Sequence, residues 1–221
     1  MRTAAVLPVK SFGRAKQRLG DAVGQPDRGE LAAGMVSDVL GALGAVPGLD
    51  EVVVVTAEAR AASAARAEGA NVIDDPVEAG QSDAAARGIA VAVARGCDRV
   101  LLVPGDCPAL DPAEVSGVLA GFADAGVVIV PDRHGSGTNA LRLTPPGVIA
   151  PAFGPGSFAR HAALGAAAGA VVRVAQAPSL ELDVDTPGDL AALRAALERL
   201  PDAAPRTRAL LQRMAPRSTL A

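Results

Sequence analysis

Short apolar runs alternate along the chain with longer stretches whose apolar positions recur every three or four residues. That is the pattern of strands and helices in turn. Ala4-Ala5-Val6-Leu7-Pro8-Val9 reads as a first strand. A helix is predicted from Asp27 or Arg28, with Leu31, Met35, Val39, Leu40 and Leu43 on one face. Glu51–Thr56 holds a continuous β-branched run, as in a strand covered on both faces. An Ala-rich helix over 58–68, a strand at Asn71-Val72-Ile73, a helix over 83–95 and a buried strand at Arg99–Val103 follow. Asp111-Pro112-Ala113-Glu114 combines a capping carboxylate, a proline at the first helical position and a Glu three residues after the cap. It predicts a helix to about Ala125, ended by Gly126. Strands at Val127–Val130 and Thr138–Leu143, a helix from Gly154 to about Gly169 and a strand at Val171–Val174 come next. An extended segment at Leu180–Asp185 and a helix from Pro187 to about Leu200 complete the pattern. The alternation predicts an α/β fold, three layers on a mostly parallel sheet. Residues 1–200 form a single domain in this reading, and 201–221 a Pro- and Arg-bearing tail with at most one helical patch at 206–214.

Composition narrows the chemistry. Half of the 221 residues are hydrophobic, yet aromatics are 2%, with four Phe, no Trp and no Tyr, so Ala, Val and Leu must build the core. Lys and Arg number 21 against 24 Asp and Glu, a net charge of −3. The chain thus lacks the basic surface and stacking platforms of a nucleic-acid binder. Cys97 and Cys107 are too far apart for a CxxC motif, and His134 and His161 make no common zinc spacing with them. No apolar run reaches the roughly 18 residues of a membrane span. The apolar stretch Thr3–Val9 contains Pro8 and runs into Lys10, which reads as a strand and not a signal peptide. A cytoplasmic protein is expected.

Two familiar motifs fail on context. Gly135-x-Gly137-x-x-Ala140 matches a dinucleotide fingerprint but continues as a strand instead of opening a helix, and no G-x-S-x-G elbow is present. His161, inside a helix pattern, reads as an ordinary surface or packing residue. Four segments carry more. Lys10, Arg14, Lys16 and Arg18 follow the first strand, around Gly13, and suit a polyphosphate over the carboxyl end of a sheet; a solvated basic turn reads equally well. Asp106, between Gly105 and Pro108 at a strand tip, suits Mg²⁺ with substrate phosphates, or else accepts backbone N–H groups in a turn. Asp183 and Asp185 share one face of an extended segment; Asp185 is either a second metal carboxylate or the cap of the helix opening at Pro187. Thr138 with Gly154-Pro155-Gly156-Ser157 offers an anion pocket, or simply a glycine-rich loop. Neither histidine falls in these segments, so no strong general base is in view. A phosphate monoester, with a second pKa near 6, needs none as nucleophile. Catalysis then reduces to positioning and charge neutralisation, which suits transfer of a nucleotidyl group onto a phosphate.

Taken together, five segments resemble one family: Pro8-Val9-Lys10 with Ala15-Lys16-x-Arg18-Leu19; Gly105-Asp106-x-Pro108-Ala109-Leu110; Gly137-Thr138-Asn139-Ala140-Leu141; Phe153-Gly154-x-Gly156-Ser157-Phe158; and Asp183-Val184-Asp185-Thr186-Pro187. Over about residues 3–200 the chain is similar to the 2-phospho-L-lactate and phosphoenolpyruvate guanylyltransferases of coenzyme F-420 biosynthesis, glycosyltransferase-A-like nucleotidyltransferases. The resemblance implies that Lys16 and Arg14, with Lys10, hold the phosphates of GTP, and that Asp106 and Asp185 bind Mg²⁺. It also implies that Thr138, Gly154 and Ser157 hold the acceptor. One departure lies at Gly80-Gln81-Ser82-Asp83-Ala84-Ala85, where family members read Gly-Leu-Asn-Ala-Ala. Asp83 stands in place of the amide, and a carboxylate there suits guanine N1 and N2 as donors. The acceptors associated with the family are phosphoenolpyruvate, 2-phospho-L-lactate and 3-phosphoglycerate; the Ala-, Gly- and Arg-rich, bacterial-type composition favours the first. More distant alternatives are a molybdopterin or sugar-phosphate nucleotidyltransferase, whose Leu-x-Gly-Gly loop is absent here, and a nucleotide-binding module without turnover.

Overall fold

The computed structural model describes residues 1–14 and 16–214, with the backbone alone at Arg14, Asp21, Ala22, Gln25 and Pro26. Among these residues, seven strands form one sheet, in the order β3-β2-β1-β4-β6-β5-β7. The strands are β1 (Thr3–Val9), β2 (Glu51–Thr56), β3 (Asn71–Asp74), β4 (Arg99–Leu102), β5 (Val127–Pro131), β6 (Thr138–Leu143) and β7 (Val172–Val174). All run parallel except β6, which is antiparallel to both its neighbours. The helices are α1 (Gln25–Gly44), α2 (Ala59–Ala67), α3 (Gln81–Ala94), α4 (Pro112–Ala120), α5 (Ser157–Ala167), α6 (Pro178–Glu181), α7 (Pro187–Arg199) and α8 (Pro205–Met214).

Alternation along β1 builds two cores. Ala5, Leu7 and Val9 face a layer formed by α1, α2 and α4, while Ala4 and Val6 face α3 and the partly buried Phe158 and Ala162 of α5. Strands covered on both faces read as continuous apolar runs, which is why β2 was visible in the sequence. The helix layers sit close on the small residues that dominate them. A Cβ at Gly88 of α3 would lie 2.3 Å from Val6 Cγ1, so only glycine lets α3 settle on β1 at this height.

Three elements depart from the sequence expectation. Helix α4 stops at Ala120 instead of Ala125. The fully buried Arg142 of β6 takes the carbonyls of Val118, Leu119, Gly121, Phe122 and Ala125 at 2.6–3.2 Å, satisfying acceptors that a further helical turn would have used. Residues 180–185 are not a strand: α6 ends at Glu181, and Leu182–Asp185 pair with no sheet strand. The helical patch expected at 206–214 is present as α8, but it does not stand apart as a tail: it packs along α1, with Leu210 and Leu211 buried. Asp38 of α1 accepts the N–H groups of Arg206 (3.1 Å) and Thr207 (2.7 Å), capping α8 across the interface. Residues 215–221 lie outside the described residues. No helix among those described is long and apolar enough to cross a membrane.

Candidate active site

Strand order reverses between β1 and β4, and α/β sheets leave a crevice beyond the carboxyl ends of the strands at such a point. The loops leaving β1 and β4 supply Lys16 and Asp106. The β1 loop contains two 3-10 turns, Phe12–Arg14 and Gln17–Ala22, and Lys16 caps the second at φ 58°, a left-handed conformation unfavourable to a residue with a Cβ. Such positions persist where the surroundings over-determine them. Here the ammonium reaches Asp106 Oδ2 at 2.5 Å and Asp185 Oδ1 at 3.0 Å, with the side chain only 7% exposed. Burial works to lower the Lys16 pKa, but the two carboxylates outweigh it and hold the pKa well above its ordinary value. The ammonium therefore stays charged.

A third carboxylate completes the cluster. Oxygen atoms of Asp106, Asp183 and Asp185 all lie within 4.8 Å of one another. Burial raises the Asp183 pKa, as does the charge of Asp106, while a hydrogen bond from Asn139 Nδ2 (3.1 Å) works the other way. The segment carrying Asp183 and Asp185 is held without sheet pairing: Val184 N–H donates to the Asp106 carbonyl (3.1 Å), and Asn139 Nδ2 also donates to the Leu180 carbonyl (2.9 Å). Asp185 is not the cap of α7. That role falls to Thr186, whose hydroxyl accepts the N–H of Asp189 in a capping box. Asp189 in turn accepts from Asp185 N–H (3.1 Å), Thr186 N–H (2.7 Å) and the Thr186 hydroxyl (2.7 Å), and pairs with Arg133 at 2.5 Å. Among the described residues no backbone N–H donates to the carboxylate of Asp106 or Asp185; their recorded partner is the Lys16 ammonium, whose place a metal cation would share or take. A set of three carboxylate oxygens is hard, anionic and suited to Mg²⁺ or Mn²⁺.

The reversed direction of β6 brings the second half of the site to the same end of the sheet. Because β6 is antiparallel, its first residues, Thr138 and Asn139, sit beside the last residues of its neighbours. Consecutive strand residues point to opposite faces. Asn139 accordingly binds the Asp183 segment on one side, and Thr138 binds α5 on the other. The Thr138 N–H donates to Ser157 Oγ (2.9 Å), Ser157 N–H donates to the Gly154 carbonyl (3.0 Å), and Thr138 Oγ1 lies 2.9 Å from His161 Nδ1. Gly154 and Gly156 take φ of 108° and 72°, which fold the loop tightly before α5. The guanidinium of Arg160 secures it by donating to the carbonyls of Ala152, Phe153 and Pro155.

Of the residues singled out from the sequence, Lys16, Asp106 and Asp185 come together, and so do Thr138, Gly154 and Ser157. Lys10 at the end of β1 and Asp83 in the first turn of α3 are exposed and bond to neither group. The Arg14 side chain and Ala15 lie outside the described residues. Asp183, Asn139 and His161 had been given no role in the site. Asp183 was signalled by its two-residue spacing from Asp185; the other two become visible only when β6 is known to run backwards. A separate cavity of about 790 Å³ lies between α1, α4, α6 and α7, and none of Lys16, Asp106, Asp183 or Asp185 lines it.

Comparison with known proteins places this geometry. Residues 3–195 match the family described as Guanylyl transferase CofC like. The chain belongs to that family. Among CofC-like relatives, the phosphoenolpyruvate guanylyltransferase of Conexibacter woesei is 47% identical over 216 residues, covering 97% of each chain. That of Sphaerobacter thermophilus is 36% identical over 190 residues, 86% of this chain and 91% of the relative. In fold, a protein from Desulfovibrio desulfuricans described as a nucleotide-diphospho-sugar transferase superposes with a TM-score of 0.76 at 19% identity, covering 96% of this chain and 95% of its own. The fold of this CofC-like chain is that of the nucleotidyltransferases, as the five sequence segments implied.

Proposed function

We propose that the protein moves GMP from GTP onto the phosphate of phosphoenolpyruvate and releases pyrophosphate. The observation that carries this reading is the meeting, at the adjacent residues Thr138 and Asn139, of an acidic cluster suited to a divalent ion and a loop suited to a small anion. The Conexibacter and Sphaerobacter relatives are named for phosphoenolpyruvate, which supports that acceptor, and the reading places the protein in the cytoplasm.

Asp106, Asp183 and Asp185 are the residues that would hold Mg²⁺. When bound, the ion supplies charge neutralisation for the phosphates of GTP. In this reading Lys16 and Arg14, with Lys10, would hold the triphosphate, and Asp83 would meet the guanine. Thr138, Gly154 and Ser157 take the carboxylate and phosphate of the acceptor. A phosphate oxygen of the acceptor attacks the α-phosphorus of GTP. The new bond joins that oxygen to the α-phosphorus, the bond from the α-phosphorus to the β-phosphate oxygen breaks, and the electron pair leaves with pyrophosphate. The attacking oxygen carries no proton at neutral pH, since the second phosphate pKa is near 6. His161 is buried and bonded at both ring nitrogens, so it has no part as a base. Catalysis rests on holding two like-charged phosphates together and offsetting their charge.

The test is pyrophosphate release from each nucleoside triphosphate against phosphoenolpyruvate, 2-phospho-L-lactate and 3-phosphoglycerate. Release with GTP and phosphoenolpyruvate is expected. Release with CTP alone would favour a molybdopterin-type acceptor, and none with any pair would remove the enzymatic reading.

A further inference from the structure

Resting on the acceptor site just described, we propose that His161 is a positioning residue that makes the Thr138 hydroxyl an obligate hydrogen-bond donor toward the acceptor's anionic oxygens. His161 is completely buried in α5 and touches no reacting group. Its Nε2 accepts the Ala152 N–H at 2.9 Å, which requires a lone pair on that nitrogen. The proton of the neutral ring therefore sits on Nδ1, 2.9 Å from Thr138 Oγ1. An Nδ1–H so placed can only donate, and Thr138 Oγ1 can only accept from it. The hydroxyl's own proton is left with no acceptor recorded among the described residues. Thr138 keeps 7% exposure while His161 is fully enclosed, so the side of the hydroxyl facing α5 is occupied by the imidazole, and its proton goes, on this proposal, to the acceptor.

The surroundings preserve this arrangement. Phe153 packs edge-on against the imidazole with ring centroids 5.1 Å apart, and the Thr138 N–H is consumed by Ser157 Oγ, fixing the residue's backbone as well. Burial disfavours the imidazolium, and the guanidinium of Arg160 works in the same direction. A charged ring would also lose the lone pair that receives the Ala152 N–H. An anionic acceptor needs donors, and a threonine free to rotate would offer its lone pairs to that anion as readily as its proton. A histidine locked in one tautomer removes that option.

Two measurements test the inference. Nitrogen NMR of histidine-labelled protein reads the tautomer directly, with exposed His134 as the only other histidine signal. Nδ1–H with an unprotonated Nε2 is expected for His161 through neutral pH, and an Nε2–H tautomer or an imidazolium would overturn the proposal. The second is a double-mutant cycle of His161→Phe and Thr138→Val, read as KM for the acceptor against KM for GTP and kcat. Each single variant is expected to raise the acceptor KM on the order of tenfold, with the GTP KM little changed. His161→Asn, which returns a donor near the Nδ1 position, is expected to recover much of the loss. The effect of His161→Phe should vanish in the Thr138→Val background. Equal effects of His161→Phe in both backgrounds, or parallel losses in both KM values, would show that the histidine only packs. Absence of turnover by the unaltered protein with any acceptor would instead overturn the guanylyl-transfer reading, while the NMR result would still decide the donor assignment.

Discussion

Replacing Lys16 by Met isolates the electrostatics of the acidic cluster. The variant keeps the length of the side chain and deletes the ammonium that lies 2.5 Å from Asp106 and 3.0 Å from Asp185. Three carboxylates then face one another within 4.8 Å. At that separation and an effective dielectric constant near 20, each like-charged pair repels by about 3.5 kcal/mol. Solvent reduces this, because the Asp106 and Asp185 side chains are 26% and 46% exposed. Protonation of Asp183, already favoured by burial, relieves more. A net loss of about 2 kcal/mol remains, which for a chain of this size lowers Tm by roughly 4–8 °C. The assay is thermal unfolding of both proteins in chelator and in millimolar Mg²⁺ or Mn²⁺. A cation that binds only the folded state stabilises it by mass action, and the variant has no ammonium competing for the same oxygens. Its Tm is therefore expected to rise with added metal by more than that of the unaltered protein. Equal Tm values in chelator, or an identical response to metal, would refute the claim that Lys16 neutralises a cation site.

Three further outcomes are expected. Asp106→Asn removes one charge from the cluster without changing its shape, so turnover should fall well over tenfold while the unfolding midpoint stays within a few degrees, as kinetics and circular dichroism would show. His161 stays neutral in the folded protein down to about pH 4, whereas the unfolded chain protonates near 6.5; the unfolded state takes the proton first, so stability present above pH 6.5 is lost progressively between 6.5 and 4. That slope, worth up to about 3 kcal/mol, should be absent in His161→Phe when urea midpoints are compared across pH. Gly88→Ala forces a Cβ to within 2.3 Å of Val6 Cγ1 and should destabilise by about 1–3 kcal/mol in a urea titration without altering KM for either substrate.

Much of the architecture was legible because it follows from local pattern. β2 announced itself as an unbroken β-branched run, and Asp111-Pro112 gave the start of α4 to the residue. The end of α4 was hidden, since it depends on Arg142 reaching across from β6, a contact no local pattern encodes. The approach of Asp106 to Asp185 was implied by the family resemblance of their two motifs, although Asp185 stands on an unpaired segment and not at a strand tip. The convergence of Asn139 on Asp183 could not be anticipated, because it requires β6 to run against its neighbours. The two hydrogen bonds of His161 were hidden for a related reason. A lone histidine on a helix carries no sign of its partners, and both of its hydrogen bonds go to segments before α5.

The central claim, attack by the acceptor's phosphate on the α-phosphorus of GTP, is tested most directly by isotope transfer. Phosphoenolpyruvate carrying heavy oxygen in its phosphate would be incubated with GTP, Mg²⁺ and the protein, and the products read by phosphorus NMR and mass spectrometry. The expected result is an isotope shift on the guanosine α-phosphorus, from a labelled bridge to the acceptor's phosphorus, together with unlabelled pyrophosphate. A product whose α-phosphorus shows no shift, or label appearing in pyrophosphate, would contradict the account.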